Sequence, residues 1–436
     1  MKEIVLGPKS RYFTEATLAL LPGGALHPHR ELPPEIKTAF VRGRGSRIWD
    51  VDDNEYIDYI MGAGVLVLGH AHPVVTEAVQ HRVEIGTQFL LITDATVRLA
   101  EKLIDAVPCA EAVKFTGTGN EATHAALRVA RAATQRSKIL KFDGGFHGVH
   151  DYVCWNTDPT QPPTYPVARP ESSGIPSALT EYILVAPFND IDYACSLIRK
   201  HRHELAAVIV EPYFRTFRPR PGFLQGLREV TRETGVVLIF DEIITGFRLA
   251  WGGAQEYYGV TPDLATMGKI IGGGFPIGAV VGTKQVMRHF DPALQQEGRY
   301  AVSSGTFSGN PISCTAGLET LKILEQPGTY AKLNRLGERL YDGLKDVCDR
   351  LHVASQVLRE GSIVDIMFTT EEAYDYRSGL KADQVKGRRL ATELIKRGVL
   401  PLMPPNGKMF LSLAHTEADV DTTINIFEDA IYTLRL

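Results

Sequence analysis

A chain of 436 residues, 44% apolar and 22% charged, has ordinary globular usage but is too long for one core, which excludes disordered, collagenous and coiled-coil architectures. Its 47 Lys+Arg against 51 Asp+Glu leave a formal charge of −4, so no whole-chain basic field exists to hold nucleic acid or an anionic membrane surface. No apolar run approaches the ~20 residues of a membrane-spanning helix, and the five scattered cysteines form no CxxC pair, so the expectation is a cytoplasmic enzyme-sized protein with no metal site.

The first ~60 residues read as an extended arm and a hairpin. Arg47-Ile48-Trp49-Asp50-Val51 alternates, Asp52-Asp53-Asn54 has turn chemistry, and Tyr56-Ile57-Asp58-Tyr59-Ile60 returns. From about residue 75, helices alternate with short apolar runs at Ala112–Phe115, Ile139–Phe142, Ala206–Val210 and Val236–Phe240. The last two are apolar throughout, as parallel strands buried on both faces must be. Between them Phe223, Leu224, Leu227, Val230 and Thr231 form one helical face that Gly235 ends. Strand, helix, strand in that order predicts a parallel α/β sheet. The Pro/Thr/Ser-rich stretch from Trp155 to Pro176 reads as a long surface loop and a candidate lid. After about residue 320 the chain turns helical, then to short strands, then to a final helix. The expected division is an N-terminal arm over 1–65, a large domain over 66–320 and a small C-terminal domain over 321–436 that packs with the arm.

Five segments carry chemistry. In Phe115-Thr116-Gly117-Thr118-Gly119-Asn120-Glu121 a strand ends and a helix starts, which sets backbone N–H groups and a positive dipole end where a phosphate can bind. The Thr118 hydroxyl and the Asn120 amide add donors; a plain capped turn is the alternative. In Leu238-Ile239-Phe240-Asp241-Glu242 a carboxylate stands at the end of a buried strand, where α/β sheets place ligands and where an uncompensated charge is costly. In Gly268-Lys269-Ile270-Ile271-Gly272-Gly273-Gly274 a lysine lies in an apolar run beside three glycines. A lysine in a tight apolar pocket becomes a nucleophilic amine suited to Schiff-base chemistry. Phe146-His147-Gly148 offers an aromatic to stack on a planar ring. Ser304 to Pro311 is small and polar, fit for a second phosphate contact or a tight turn. A phosphate site, a strand-end carboxylate, a stacking aromatic and a Gly-flanked lysine are together what pyridoxal 5'-phosphate (PLP) requires.

With PGG at Pro22, DVDDNEYIDY at Asp50, LGHAHP at Leu68, FTGTGNEATHAALRVAR at Phe115, FDEIITGFR at Phe240, GKIIGGGFPIGA at Gly268 and SSGTFSGNP at Ser303, the chain resembles class III PLP-dependent aminotransferases of fold-type I. Within that family it is most similar to the glutamate-1-semialdehyde 2,1-aminomutase-like branch, from about Pro22 to the C-terminus. The resemblance implies a mostly parallel central sheet in a large domain and a small α+β domain built from both termini. It also implies a homodimer with shared active sites.

Carried over by residue, it implies Lys269 as the Schiff-base lysine and Asp241 as partner of the pyridinium. Phe146 and Ile243 would cover the two ring faces, Glu211 would lie near its hydroxyl, and His147 would be among the cofactor-binding residues. Thr118, Gly119 and Asn120 would hold the phosphate, with Thr306 of a neighbouring subunit. Arg30 matches an arginine that binds a substrate carboxylate, and Lys408 is a candidate for the same work.

Two segments depart from the aminomutase pattern. Pro404-Pro405-Asn406-Gly407-Lys408 stands where an acidic residue is usual, and Gly62-Ala63-Gly64 where Ser-Trp precedes a glycine. Both imply a wider pocket of altered polarity. The first reading is therefore a transaminase exchanging an amino group between an amino acid, expected to be β-amino or aryl-bearing, and a keto acid. An intramolecular aminomutase is the alternative. Intact Lys269 and Asp241 argue against a non-catalytic binding protein, whereas the motifs leave racemisation and decarboxylation open.

Overall fold

A computed structural model describes residues 4–26, 32–157, 161–404 and 407–435. The chain forms two compact units, one of Val74–Gln326 with Ala373–Leu380, the other of Met1–Pro73, Pro327–Glu372 and Lys381–Leu436.

The first unit is built on a seven-stranded sheet. Its spatial order is Ala112–Thr116, Gly278–Gly282, Leu264–Gly268, Val237–Asp241, Leu205–Val210, Lys138–Phe142 and Ile183–Ala186. Gly278–Gly282 runs antiparallel to both its neighbours, and every other pairing is parallel. Every residue of Leu205–Val210 and of Val237–Asp241 is buried, which is why both segments read as apolar runs, broken only by Asp241 at the end of the second. The helix Phe223–Thr234 joins them, burying Phe223, Leu224, Leu227 and Val230 on one face. It ends at Gly235, whose left-handed φ of 64° suits a residue without Cβ. The helix Gly119–Thr134 buries Ala122, Ala125, Ala126, Leu127, Val129 and Ala130 in a core that includes Ile139, Val185, Ile209 and Ile239. Its alanines let the helix lie close to the sheet.

The parallel strands all finish on one edge. Phe142 is followed by Asp143, Val210 by Glu211, Asp241 closes its own strand, and Gly268 is followed by Lys269. Open α/β sheets bind ligands at that edge.

The stretch expected as a surface lid is anchored instead. Trp155 is fully buried and donates from Nε1 to the Asp151 carbonyl (2.6 Å). Asp143 accepts from Asn156 Nδ2 (3.0 Å), the Tyr165 hydroxyl (3.0 Å) and Arg377 Nε (2.7 Å). The Pro/Thr/Ser composition conveys surface, whereas the anchors are one buried indole and one buried carboxylate.

The second unit holds two sheets. Phe40–Arg44, Arg47–Asp50 and Glu55–Asp58 form an antiparallel meander, and Val399–Leu400 adds a parallel strand beside Glu55–Asp58. Gln356–Glu360, Ile363–Met367 and Met409–Phe410 form the other, wholly antiparallel. Helices Thr329–Arg350, Gln384–Lys396 and Glu417–Leu434 supply Leu340, Leu394 and Phe427 to a core shared with Ile57, Tyr59 and Val364. Glu417–Leu434 starts at a reciprocal cap between Thr416 and Asp419.

Candidate active site

Asp241 is the centre of the strand-end edge. Only 5% of its surface is exposed. Its Oδ1 accepts from the Thr266 hydroxyl (3.0 Å) and from the Ile243 N–H (3.2 Å), and its Oδ2 accepts from His147 Nδ1–H (2.7 Å). Three donors thus fix a buried carboxylate that no Lys or Arg neutralises at ion-pair distance among the described residues. Thr266 reaches it because strands Val237–Asp241 and Leu264–Gly268 pair in a register that sets Asp241 opposite Thr266.

His147 is 2% exposed and is held at its backbone as well, since the Thr123 hydroxyl donates to its carbonyl (2.6 Å). With Nδ1 donating to Asp241, Nε2 is buried and has no hydrogen-bond partner among the described residues. Phe146 next to it is 45% exposed, while its N–H donates to Glu211 Oε1 (2.9 Å). The residues 146–148, Glu211 and Asp241 are thus tied together from three different strand ends.

Lys269 follows directly on the Leu264–Gly268 strand and is partly buried. Its φ is +49°, a left-handed value that costs a residue with a Cβ about 1 kcal/mol or more. The turn Lys269–Gly272 that follows ends at Gly273, where a Cβ would lie 2.4 Å from the Ala316 carbonyl oxygen. Strain at one lysine in a turn with no space for a side chain at Gly273 is the mark of a site whose geometry is over-determined.

Thr118 caps the helix Gly119–Thr134, accepting from the Glu121 N–H (3.2 Å). Gly119 and Asn120 open that helix, and Asn120 Oδ1 accepts from the Val149 N–H (2.7 Å). That bond engages the amide oxygen of Asn120 and ties the helix start to the Phe146–Val149 segment. Ile243 packs between two close backbones, because a Cβ on Gly119 would fall 2.8 Å, and on Gly268 3.0 Å, from its Cδ1. Thr306 is exposed, and its carbonyl accepts from Gln88 Nε2 (2.6 Å). Lys408 is buried in the other unit. Arg30 lies outside the described residues.

These residues fit PLP. The cradle offers a helix N-terminus for a dianion, a buried carboxylate with fixed donors for a ring N–H, an aromatic ring with an open face and an amine on a strained turn.

Sequence reasoning missed three residues. Thr266 and Thr123 give no signal of their own, since only sheet register and helix placement bring them to Asp241 and His147. Lys141 did carry a signal, a lysine inside the run Ile139-Leu140-Lys141-Phe142. It is fully buried and donates from Nζ to the carbonyls of Gly145 (2.8 Å), Val153 (3.0 Å) and Trp155. Burial, reinforced by the charge of Arg215, pushes its pKa down to about 7. Arg215 adds bonds from Nε to the Gly144 carbonyl (2.6 Å) and from Nη2 to that of Thr157. Two basic side chains therefore gather the segment 144–157 through its backbone oxygens, and Phe146 and His147 ride on it.

The fold and this cradle define an enzyme class that works on amines through PLP, and comparison with known proteins agrees. The sequence model of the family Aminotransferase class-III matches residues 30–431. The chain is 42% identical to the glutamate-1-semialdehyde 2,1-aminomutase of Methanothermobacter thermautotrophicus (strain Delta H), over 95% of this chain and 97% of that protein. Among solved structures it is similar to an omega-transaminase from Sphaerobacter thermophilus, with a TM-score of 0.92, 37% identity and coverage of 99% and 98% of the two chains. A transaminase solved with PLP bound has a TM-score of 0.90 at 28% identity, over 99% of each chain. The chain belongs to the class-III aminotransferase family, and its cofactor is PLP.

Proposed function

We propose that this chain moves an amino group with Lys269 as its working amine, and that it does so within one substrate, as an aminomutase of the glutamate-1-semialdehyde type. The observation that carries the amine chemistry is the Asp241 carboxylate, buried and gripped by three donors on the strand next to the one that delivers Lys269. When bound, PLP supplies a carbonyl for the amine and a ring that takes up the electron pair left on the substrate carbon. Asp241 holds a proton on the ring nitrogen, and His147 and Thr266 keep its carboxylate aimed. Phe146 and Ile243 would cover the two ring faces, and Glu211 would lie near the ring hydroxyl. Thr118, Gly119 and Asn120 would hold the phosphate, completed by Thr306 from a second copy in a homodimer. Lys269 removes a proton from the substrate carbon and returns it one position away. Arg30 and Lys408 are the cations assigned to the substrate carboxylate.

The preference for rearrangement over exchange between two substrates rests on the name of the Methanothermobacter relative. It reverses the order that the motif departures favour. Exchange with a keto acid remains the second reading, supported by the likeness to the Sphaerobacter omega-transaminase and by Gly62-Ala63-Gly64 in place of the aminomutase Ser-Trp.

Holoenzyme given glutamate-1-semialdehyde, with and without a keto acid, separates the two. Turnover to the isomer with its amine on carbon 1, without any keto acid, is expected. An absolute keto-acid requirement with an amino acid donor would replace the first reading by the second. Borohydride reduction followed by peptide mass spectrometry should find the cofactor on Lys269; attachment to another lysine would undo the assignment common to both.

A further inference from the structure

At the other end of the sheet from Asp241, where Val237 starts its strand, lies a cleft of about 700 Å3. Four residue steps along the strand separate the two, or about 13 Å. Five arginines line the cleft: Arg136, Arg228, Arg232, Arg288 and Arg299. The acids lining it are Asp263 and Glu297, which leaves an excess of three positive charges.

The arginines differ in how they are held. Arg228 spends Nη2 on Asp263 Oδ2 (3.0 Å), and that same oxygen also accepts from the Leu238 N–H (2.8 Å). Arg228 is only 7% exposed, and its Nε has no acceptor among the described residues. Arg136 donates from Nη1 to the carbonyls of Leu205 (3.3 Å), Thr234 (3.2 Å) and Gly235 (3.0 Å). Carbonyls orient its guanidinium without cancelling the charge. The side chains of Arg232, Arg288 and Arg299 are exposed and make no ion pair among the described residues. Ala133, Val236, Val286 and Leu294 line the cleft between them.

We propose that this cleft binds a small molecule bearing two or more linked phosphates. Converging guanidinium groups repel one another, and an anion that spans them relieves that cost. Guanidinium forks match phosphate oxygens two at a time, and the excess of three charges matches a di- or triphosphate better than a single carboxylate. The volume lies in the range of small-molecule sites, and the apolar lining leaves space for a non-phosphate portion. None of the cradle residues lines this cleft, so its ligand is distinct from PLP.

Calorimetric titration of the PLP-loaded enzyme with inorganic tripolyphosphate, ATP, orthophosphate and citrate tests this. Saturable binding of tripolyphosphate, one per chain and weakened by added salt, is expected, with orthophosphate at least about tenfold weaker. ATP binding equal to tripolyphosphate would show that the phosphate chain alone is read, and tighter ATP binding that a nucleotide is; either supports the site. The exposed double substitution Arg232→Glu/Arg299→Glu should cut tripolyphosphate affinity at least about tenfold while PLP content and basal turnover stay unchanged. No saturable binding of either polyphosphate, unchanged affinity in the double variant, or citrate binding tighter than both would each overturn the proposal.

Discussion

The grip on Asp241 makes the sharpest residue-scale expectations. Thr266→Val keeps the shape of the side chain and removes one donor to Oδ1, leaving the Ile243 N–H and His147. A hydrogen bond to a charged group contributes roughly 1.5–3 kcal/mol, so kcat should fall about ten- to a hundredfold while PLP content, read by absorbance, is retained. An unchanged kcat would remove Thr266 from the working site. The next residue behaves differently. Glu242 is fully buried, its Oε2 accepting from the Ala254 N–H (2.6 Å) and the Thr245 hydroxyl (3.0 Å). Burial raises its pKa from the ordinary 4.5 to about 7. The unfolded chain gives up this proton near 4.5 and the folded chain keeps it to about 7, so the stability it contributes is full below 4.5 and is lost as pH rises between the two. Glu242→Gln should flatten that slope in urea midpoints measured from pH 4.5 to 8. A slope equal to that of the parent protein would mean that Glu242 is ionised in the fold.

At the scale of elements, the segment 144–157 is held by buried basic side chains and not by regular secondary structure. Lys141 reaches three of its carbonyls, and Arg215 reaches two. Lys141→Met leaves those carbonyls without their donor in a buried place, each a loss of roughly 1–3 kcal/mol. Hydrogen exchange in peptides covering 143–157 should quicken markedly, with Leu205–Val210 unaffected, and PLP should bind more weakly because Phe146 and His147 belong to the loosened segment. Exchange that rises equally across the sheet would indicate global destabilisation and count against this anchoring role. Trp155 adds a second anchor to this segment, since its indole is fully buried and its Nε1 donates to the Asp151 carbonyl (2.6 Å).

At the scale of the whole molecule, the testable feature is sharing of sites between copies. Thr306 is exposed on a turn that the resemblance assigns to a neighbour's phosphate site. If so, Lys269→Ala and Thr306→Ala variants, each inactive alone, should regain activity on mixing, because a hybrid dimer has one site with both lesions and one with neither. About a quarter of parental activity is expected at full random exchange, when half the dimers are hybrids with one intact site of two. No recovery, with exchange proved by mass-tagged subunits, would confine Thr306 to its own subunit. Among the described residues no helix is long and apolar enough to cross a membrane.

Much of the fold was legible because its signals are local. Buried parallel strands need continuous apolar runs, so Ala206–Val210 and Val236–Phe240 declare themselves, and a helix face stopped by Gly235 joins them. Lys269 and Asp241 stood out for the same reason, each a charged residue where its neighbours demand burial. The grip on Asp241 was not legible. Thr266 lies 25 positions away and Thr123 holds a histidine 24 positions on, and neither residue type differs from any other threonine until sheet register and helix placement bring them in. The anchoring of 144–157 escaped for a related reason, because backbone carbonyls carry no sequence signature. The arginine cleft escaped because its five members come from segments scattered between 136 and 299. Burial and periodicity are properties of short stretches, so the sequence by itself determined the strands and marked Lys269 and Asp241 as charged residues set among apolar neighbours. Convergence of groups distant in the chain is a property of packing, so only the tertiary structure decided which donors hold them and where positive charge accumulates.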